Sequence, residues 1–214
     1  MSSGERERLI VSLKLEPIHL ERMATYEALV RRWSNVKNLV SASALKELWV
    51  RHLLDSAQVQ RSSPSAKIWA DLGSGGGFPG IVTAILLADD STAHVHLVES
   101  DGRKSAFLRA VSRETGLRTT VHHARIEDVA RNLIGVEAVS ARALAEMDKL
   151  VEWSFPLLEK GAHGVFPKGK GYREELTNLT RDSRFILDIR PSISQSDGAI
   201  VLVKKREPSD GDVS

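Results

Sequence analysis

The chain has 214 residues, of which 42% are hydrophobic and 27% are charged, and its formal net charge at pH 7 is +2. These values are typical of one substantial globular domain, and the small net charge does not by itself indicate a nucleic-acid partner. Cysteine is absent, which excludes disulfides, thiolate metal sites and cysteine nucleophiles; no run approaches the roughly 20 apolar residues of a membrane span, so we expect a cytoplasmic protein.

Residues 1–66 are predicted to form a helical cap with a disordered start. Pro17 suits the first turn of a helix, and mostly apolar residues follow it at helical spacing, namely Leu20, Met23, Glu27, Val30 and Trp33. A second helical stretch is predicted over 45–59, and the serine-rich segment 61–66 indicates a linker. The first 15 residues are expected to be frayed.

From residue 67 to residue 206, short apolar runs alternate with helical patterns, which predicts a parallel sheet covered by helices on both faces. The predicted strands are 68–72, 95–99, 119–122, 138–141 and 164–166. The predicted helices between them are 80–88, 104–115, 126–133 and 144–158. Two further strands, 184–189 and 199–204, have no helical pattern between them and predict an antiparallel hairpin at the sheet edge. Residues 207–214 are expected to be a disordered tail.

A glycine-rich turn, Asp71 to Gly80, connects the first predicted strand to the helix after it. Glycines permit positive φ angles and let the backbone approach a ligand closely. Nucleotide cofactors bind where such turns cluster, at the carboxyl ends of parallel strands. The turn therefore predicts a nucleotide-like cofactor.

Two spacings within this turn compete. The dinucleotide fingerprint Gly-x-Gly-x-x-Gly is satisfied by Gly75, Gly77 and Gly80. The frame that starts at Asp71 and Gly73 fits a methyl-donor motif better, because S-adenosylmethionine has no pyrophosphate and Asp71 can join a hydrogen-bond network near its methionine ammonium. We favour S-adenosylmethionine and keep a dinucleotide as the alternative.

Glu99, at the end of the second predicted strand, could accept hydrogen bonds from both ribose hydroxyls of either cofactor. It therefore supports a nucleotide-like ligand without choosing between the two.

Several short strings narrow the family further. In chain order they are Trp33–Leu39, Arg51–Ser56, Gly77–Gly80, Arg103-Lys104 before Phe107-Leu108, Arg125–Glu127, Ser140–Ala143 and Lys168-Gly169. In order and spacing the chain resembles the ribosomal RNA small subunit methyltransferase G family, also called GidB, from about Ile18 to Lys204. Val40 departs from a threonine that is common there, and the tail beyond Arg206 matches nothing in the family.

The resemblance implies an α/β class I methyltransferase fold, Rossmann-like, with a seven-stranded mostly parallel sheet and an N-terminal helical cap. It implies methylation of N7 of one guanine in 16S ribosomal RNA of the 30S subunit. Apart from the resemblance, we expect no membrane partner and take a monomer as the default state. The cofactor contacts carried over from the family are Gly73, Phe78, Ile126, Glu127 and Arg142. The glycine-rich turn adds Asp71 and Gly75, and the second predicted strand adds Glu99.

The residues present agree with that acceptor. Methylation at C5 of a pyrimidine needs a cysteine, and methylation of an exocyclic amine usually comes with an Asn/Asp-Pro-Pro-aromatic string, where this chain has 140–143 instead. Guanine N7 carries a lone pair, so proximity and alignment can suffice, and we predict no catalytic acid or base. Arg142 is expected to position the donor or the guanine, with a salt-bridged strand end as the alternative. Lys168 is expected to hold RNA phosphate, with a solvated loop as the alternative.

His52 and Asp55 lie three residues apart on one predicted helical face. We interpret them as a pair that hydrogen-bonds the loop beside the cofactor, and not as a metal site. His94 and His96 share a strand face without a predicted third ligand, and no metal is expected. The competing functions are a small-molecule methyltransferase, an NAD-dependent reductase and a ribosome-associated binding module without transfer activity.

Overall fold

The computed structural model of the chain describes residues 3–37, 45 and 48–207. Within them, seven strands form one sheet in the order β3-β2-β1-β4-β5-β7-β6. The strands are β1 (Ile68–Leu72), β2 (His94–Glu99), β3 (Thr119–His123), β4 (Ala138–Ser140), β5 (His163–Lys168), β6 (Phe185–Pro191) and β7 (Ala199–Lys205). The first five are parallel, and β7 runs antiparallel to both β5 and β6. The predicted parallel sheet with a closing antiparallel hairpin is confirmed.

Helices cover both faces of this sheet. They are α1 (Ser3–Ser12), α2 (Pro17–Lys37), α3 (Asp55–Ser62), α4 (Gly80–Leu86), α5 (Gly102–Glu114), α6 (Ile126–Val129), α7 (Met147–Leu158) and α8 (Tyr172–Glu175), with 3₁₀ turns at Ala130–Asn132 and Leu179–Arg181. Neighbouring strand residues point to opposite faces, so Trp69 joins the hydrophobic cluster under α2 to α5 while Ala70 joins the cluster under α7. No helix in the described ranges combines the length and the apolarity needed to cross a bilayer.

The N-terminal helices pack on the first of these faces. Met23 and Tyr26 of α2 are fully buried in the same cluster as Trp69. The first 15 residues were expected to be frayed, but Ser3–Ser12 form α1. The residues after α1 are also held in place, since Leu13 and Leu15 are buried and the Arg61 Nε donates to the Leu13 carbonyl at 2.8 Å. The boundary at 66/67 stays a prediction, and residues 38–44, with Val40, and 208–214 lie outside the described part.

The second predicted N-terminal helix differs from a regular α-helix. Leu48–Leu54 forms a π-helix that runs directly into α3. This 7-residue segment spans fewer than two helical turns, which is too short for its apolar residues to distinguish a π-helix from an α-helix. Leu53, Leu54 and Asp55 are all buried at this junction, and the buried carboxylate of Asp55 therefore needs partners.

Asp71, the last polar residue of β1, fastens three elements together. Its side chain is fully buried; Oδ1 accepts from the Ser140 hydroxyl at 2.7 Å, and Oδ2 accepts from the Gly80 amide at 3.2 Å. Burial raises the pKa of this carboxyl from 3.8 to about 6, and the hydrogen bond from Ser140 opposes part of that rise. The end of β1 is thus bound to β4 and to the start of α4.

The raised pKa of Asp71 predicts a pH-dependent stability. The folded state holds a proton that the unfolded chain releases at lower pH, so the contribution is fully present below about pH 4 and is lost as pH rises through about 6. We compare the free energies of unfolding of the wild type and of D71N. The advantage of the wild type over D71N should fall by about 2 kcal/mol between pH 4 and pH 7. Urea unfolding followed by circular dichroism measures it; a difference that stays constant over this range would contradict the assignment.

Gly80 allows α4 to start against β1 and β2. A Cβ there would lie 2.6 Å from Asp71 Oδ2, and it would also meet Leu97. We expect G80A to lower the free energy of unfolding by about 1–3 kcal/mol, the usual cost of overpacking. The matched control is G102A at the first position of α5, where a Cβ would come no closer than 3.3 Å to the exposed His123. Equal losses in the two variants would show that packing at Gly80 is not special.

Candidate active site

A cavity of about 420 Å³, which we call the turn cavity, opens at the carboxyl ends of β1, β2 and β4. Its volume falls within the usual range for small-molecule sites. Seven of the eight predicted cofactor residues line it: Gly73, Gly75, Phe78, Glu99, Ile126, Glu127 and Arg142. The eighth, Asp71, is buried beneath the turn with both carboxylate oxygens bonded, so any effect of Asp71 on a ligand would act through the turn backbone.

The glycine-rich turn depends on left-handed backbone. Gly73, Gly75 and Gly77 have φ angles of +65°, +56° and +96°, which other residues adopt only with strain. The Ser74 amide donates to the Val98 carbonyl at 3.0 Å, so the turn is also fastened to β2. The turn therefore presents backbone groups to the cavity without side chains in the way.

Glu99 is the acidic group of the turn cavity. Only 7% of the residue is exposed. Its Oε2 accepts from the Gly75 amide at 2.8 Å, and its Oε1 accepts from the Asp101 amide at 2.7 Å. A carboxylate oxygen can accept more than one hydrogen bond, so Glu99 can accept from a ligand diol while it holds the turn.

Arg142, in the loop after β4, closes the opposite side of the cavity. Its Nη2 lies 2.7 Å from His52 Nδ1, its Nη1 lies 3.4 Å from Asp55 Oδ2, and its Cζ lies 5.2 Å from the Phe78 ring centre. A guanidinium only donates, so His52 Nδ1 accepts and carries no proton in this contact. The prediction that His52 and Asp55 hydrogen-bond the loop beside the site is confirmed, with Arg142 as their partner.

Asp55 is held in turn by the β6–β7 connection. Its Oδ1 accepts from the Ser194 hydroxyl at 2.7 Å and from the Gln58 amide at 2.8 Å. The Gln58 Oε1 accepts from the Ile193 backbone amide at 3.1 Å. Segments far apart in the chain thus set the position of Arg142. The hydrophobic pattern around Ser194 did not predict that this residue would contact the site.

A second cavity of about 660 Å³, which we call the loop cavity, adjoins the first. The two share His52, Arg142, Ala143 and Leu144 as lining residues. Ala143 has a φ of +50°, and strain of this kind in a non-glycine residue is a common feature of functional sites. The loop after β4 therefore forms a strained wall between two adjoining spaces.

Lys168 lines the loop cavity, but its ammonium is already engaged. The Nζ pairs with the Glu175 carboxylate and donates to the Ala145 carbonyl at 3.0 Å, and only 10% of the side chain is exposed. Glu175 also accepts from the Met147 amide at 3.1 Å. This arrangement fixes the segment between Arg142 and α7, and the contact of Lys168 with phosphate stays a prediction.

The end of the turn cavity at β2 and β3, on the other side of β1 from the β4 loop with Arg142, contains residues of three elements. Ile126 and Glu127 come from the start of α6, and Lys104 comes from α5. Trp153 of α7 also lines this end, and its indole Nε1 donates to Glu127 Oε1 at 2.9 Å. Neither Lys104 nor Trp153 was predicted as a site residue: Lys104 lies in a string that served only to identify the family, and Trp153 has only the helical spacing of a core residue.

Trp33 and His96 do not line the turn cavity or the loop cavity, and each contacts another ring. Trp33 packs edge-on against Phe107 with the ring centres 5.5 Å apart, as expected of a core anchor. His96 has a neighbour that was not expected, since His122 of β3 lies 3.1 Å away between ring nitrogens. Across the described ranges, no group of three or more histidine, cysteine, aspartate or glutamate residues could hold a metal ion.

The architecture is shared with methyltransferases of known structure. The SAH-bound methyltransferase PaMTH1 from Podospora anserina superposes with a TM-score of 0.62 at 12% identity over 97% of each chain. A methyltransferase from Geobacter sulfurreducens superposes with a TM-score of 0.59 at 14% identity over 85% of this chain and 89% of that one. At these identities the likeness concerns the fold, and it confirms the class I methyltransferase plan.

The sequence comparisons identify the family. A relative from Parvibaculum lavamentivorans is 47% identical over 193 residues, or 90% of this chain and 85% of its own length. A relative from Methylorubrum populi is 42% identical over 203 residues, which cover 95% of this chain and 96% of the relative's own length. Both are named ribosomal RNA small subunit methyltransferase G, and the family model of that description matches residues 19–197. This chain therefore belongs to the rRNA small subunit methyltransferase G family, or GidB.

Proposed function

We propose that the protein is an S-adenosylmethionine-dependent methyltransferase that modifies N7 of one guanine in 16S ribosomal RNA. The observation that carries the proposal is that the glycine-rich turn, Glu99 and Arg142 surround one cavity in a chain of this family. The proposal places the reaction in the cytoplasm, on the RNA or the assembled 30S subunit, with a monomer as the active form.

The residues around the turn cavity suit this cofactor. Glu99 would accept hydrogen bonds from the ribose hydroxyls, while the backbone at Gly73 and Gly75 would approach the methionine portion. Ile126 and Glu127 would hold the adenine, and Phe78 would pack beside the donor. Asp71 would support all of these contacts from beneath the turn. When bound, S-adenosylmethionine supplies an electrophilic methyl group on a sulfonium.

The dinucleotide alternative is disfavoured by the start of α4. A pyrophosphate would need free backbone amides at the N-terminus of this helix. The Gly80 amide instead donates to the buried Asp71 carboxylate, and the Ile81 amide donates to the Gly77 carbonyl at 2.8 Å. The carboxylate of Asp71 would also repel a nearby phosphate.

The loop cavity is the proposed place for the guanine. It meets the turn cavity at Arg142, so a base there would face the donor. Guanine N7 needs no deprotonation, so the task of the protein is alignment, and the arginine would orient the base edge or a nearby phosphate. Lys168 would contribute to RNA binding at the far wall of this cavity.

The test of the function is direct labelling. Tritiated S-adenosylmethionine should label 16S RNA, naked or in 30S particles, from a strain that lacks the gene, and the label should map to N7 of one guanine. Calorimetry should detect binding of S-adenosylmethionine and none of NADH. Label on a metabolite pool but not on RNA would support a small-molecule methyltransferase, and binding of NADH alone would end the methyl-donor proposal.

The Asp55–Arg142 contact predicts a coupled loss of activity. We expect R142A to lower the single-turnover rate of methyl transfer by roughly 100-fold, the scale of a misaligned reactant. We expect D55N to lower it about tenfold by releasing Arg142, and to have no further effect in the R142A background, because coupled residues are not additive.

The control for this cycle is S62A. Within the described part of the chain, the Ser62 hydroxyl donates to the Gln58 carbonyl of its own helix at 2.8 Å and has no bond to the site. S62A should keep the rate, and thermal unfolding should confirm that each variant is folded. Losses that multiply in the double variant would show that Asp55 does not act through Arg142.

A further inference from the structure

The turn cavity has a reacting end and a remote end. The reacting end is the one shared with the loop cavity, at His52, Arg142, Ala143 and Leu144. In the sheet order β3-β2-β1-β4, Glu99 at the end of β2 lies between the β4 loop, with Arg142, and the segment after β3, with Ile126 and Glu127. Trp153 bonds Glu127 and so belongs to the second group. The cofactor of the proposed function has its methyl group and its adenine on opposite sides of the ribose. The adenine therefore belongs at the remote end.

Trp153 is held firmly at that remote end. Its indole N–H donates to Glu127 Oε1 at 2.9 Å, and the Lys149 ammonium lies 5.3 Å from the ring centre, one helical turn earlier in α7. The rest of the ring packs against the hydrophobic cluster under α7. These contacts hold the Trp153 indole in place, so that part of its ring forms the wall of the turn cavity.

We propose that Trp153 is an adenine-recognition residue of the turn cavity, in two ways. Its indole is an apolar aromatic wall for the base, and its N–H holds the Glu127 carboxylate in one orientation. This proposal rests on the proposed function, because it takes S-adenosylmethionine as the ligand. No residue of the family strings points to Trp153.

The Glu127–Trp153 hydrogen bond accounts for base selectivity. The bond uses one carboxylate oxygen, which leaves the other to accept from a donor on the ligand. The exocyclic N6 amine of adenine is such a donor. Hypoxanthine has a carbonyl oxygen at the same position, so two hydrogen-bond acceptors would face each other and no bond would form. Glutamate is otherwise a flexible side chain whose ordering is costly, so the indole N–H reduces the cost of recognition.

The experiment measures binding of S-adenosylhomocysteine and of its hypoxanthine analogue by calorimetry, without turnover. The wild type should bind the adenine compound more tightly. W153A should lose about tenfold in affinity, the scale of one base–aromatic contact. W153F retains an apolar ring but lacks the N–H, so it should lose less affinity while the preference for adenine shrinks. E127Q should lose that preference as well.

Intrinsic fluorescence gives an independent readout. S-adenosylhomocysteine should change the tryptophan emission of the wild type. It should also change that of the control W33F, because Trp33 packs against Phe107 and does not line the turn cavity. The change should be absent in W153F. Circular dichroism and thermal unfolding verify that each variant is folded.

The possible outcomes separate the two proposals. If the wild type binds S-adenosylhomocysteine and W153A and W153F bind it equally well with an unchanged base preference, the role of Trp153 is wrong and the proposed function stands. If the wild type binds neither S-adenosylmethionine nor S-adenosylhomocysteine, both proposals are wrong.

Discussion

The buried carboxylate of Asp71 is the interaction on which the site depends. A charged group in the interior is costly unless every oxygen finds a donor. Ser140 and the Gly80 amide supply those donors, and they belong to the two elements that must meet the end of β1 for a cavity to form there. Satisfying one side chain therefore brings together β1, β4 and the start of α4. The glycine-rich turn lies directly above this junction.

A second buried carboxylate organises the other half of the site. Asp55 binds Arg142 on one side and Ser194 on the other, which connects the N-terminal segment, the β4 loop and the β6–β7 connection. A buried ion pair adds little net stability, because desolvation offsets the attraction between the charges. It does select one geometry, because an alternative position of the guanidinium would leave Asp55 without its charged partner. The pair therefore specifies where Arg142 lies.

Much of the fold was predictable because its signals are local. Alternating apolar runs located β1 and β2, the lack of a helical pattern before Ala199 predicted the terminal hairpin, and the glycines of the turn located the cavity. The π-helix at Leu48–Leu54 was not predictable, because fewer than two helical turns are too short to reveal which helical repeat the apolar residues follow. The ion pair of Lys168 and the hydrogen bond of Trp153 join residues that only the folded chain brings together. Such pairs leave no local pattern in the sequence.

The wall shared by the two cavities has a thermodynamic consequence. Arg142 and Ala143 line both spaces, so a ligand in either one changes the surroundings of the other. Coupling between two binding equilibria is reciprocal: whatever factor the donor applies to the affinity for RNA, the RNA applies to the affinity for the donor. With the donor in the turn cavity and the RNA in the loop cavity, as proposed, such coupling would pass through the loop that contains Ala143. Donor and acceptor binding would then be linked steps, in which the occupancy of one site changes the apparent affinity of its neighbour.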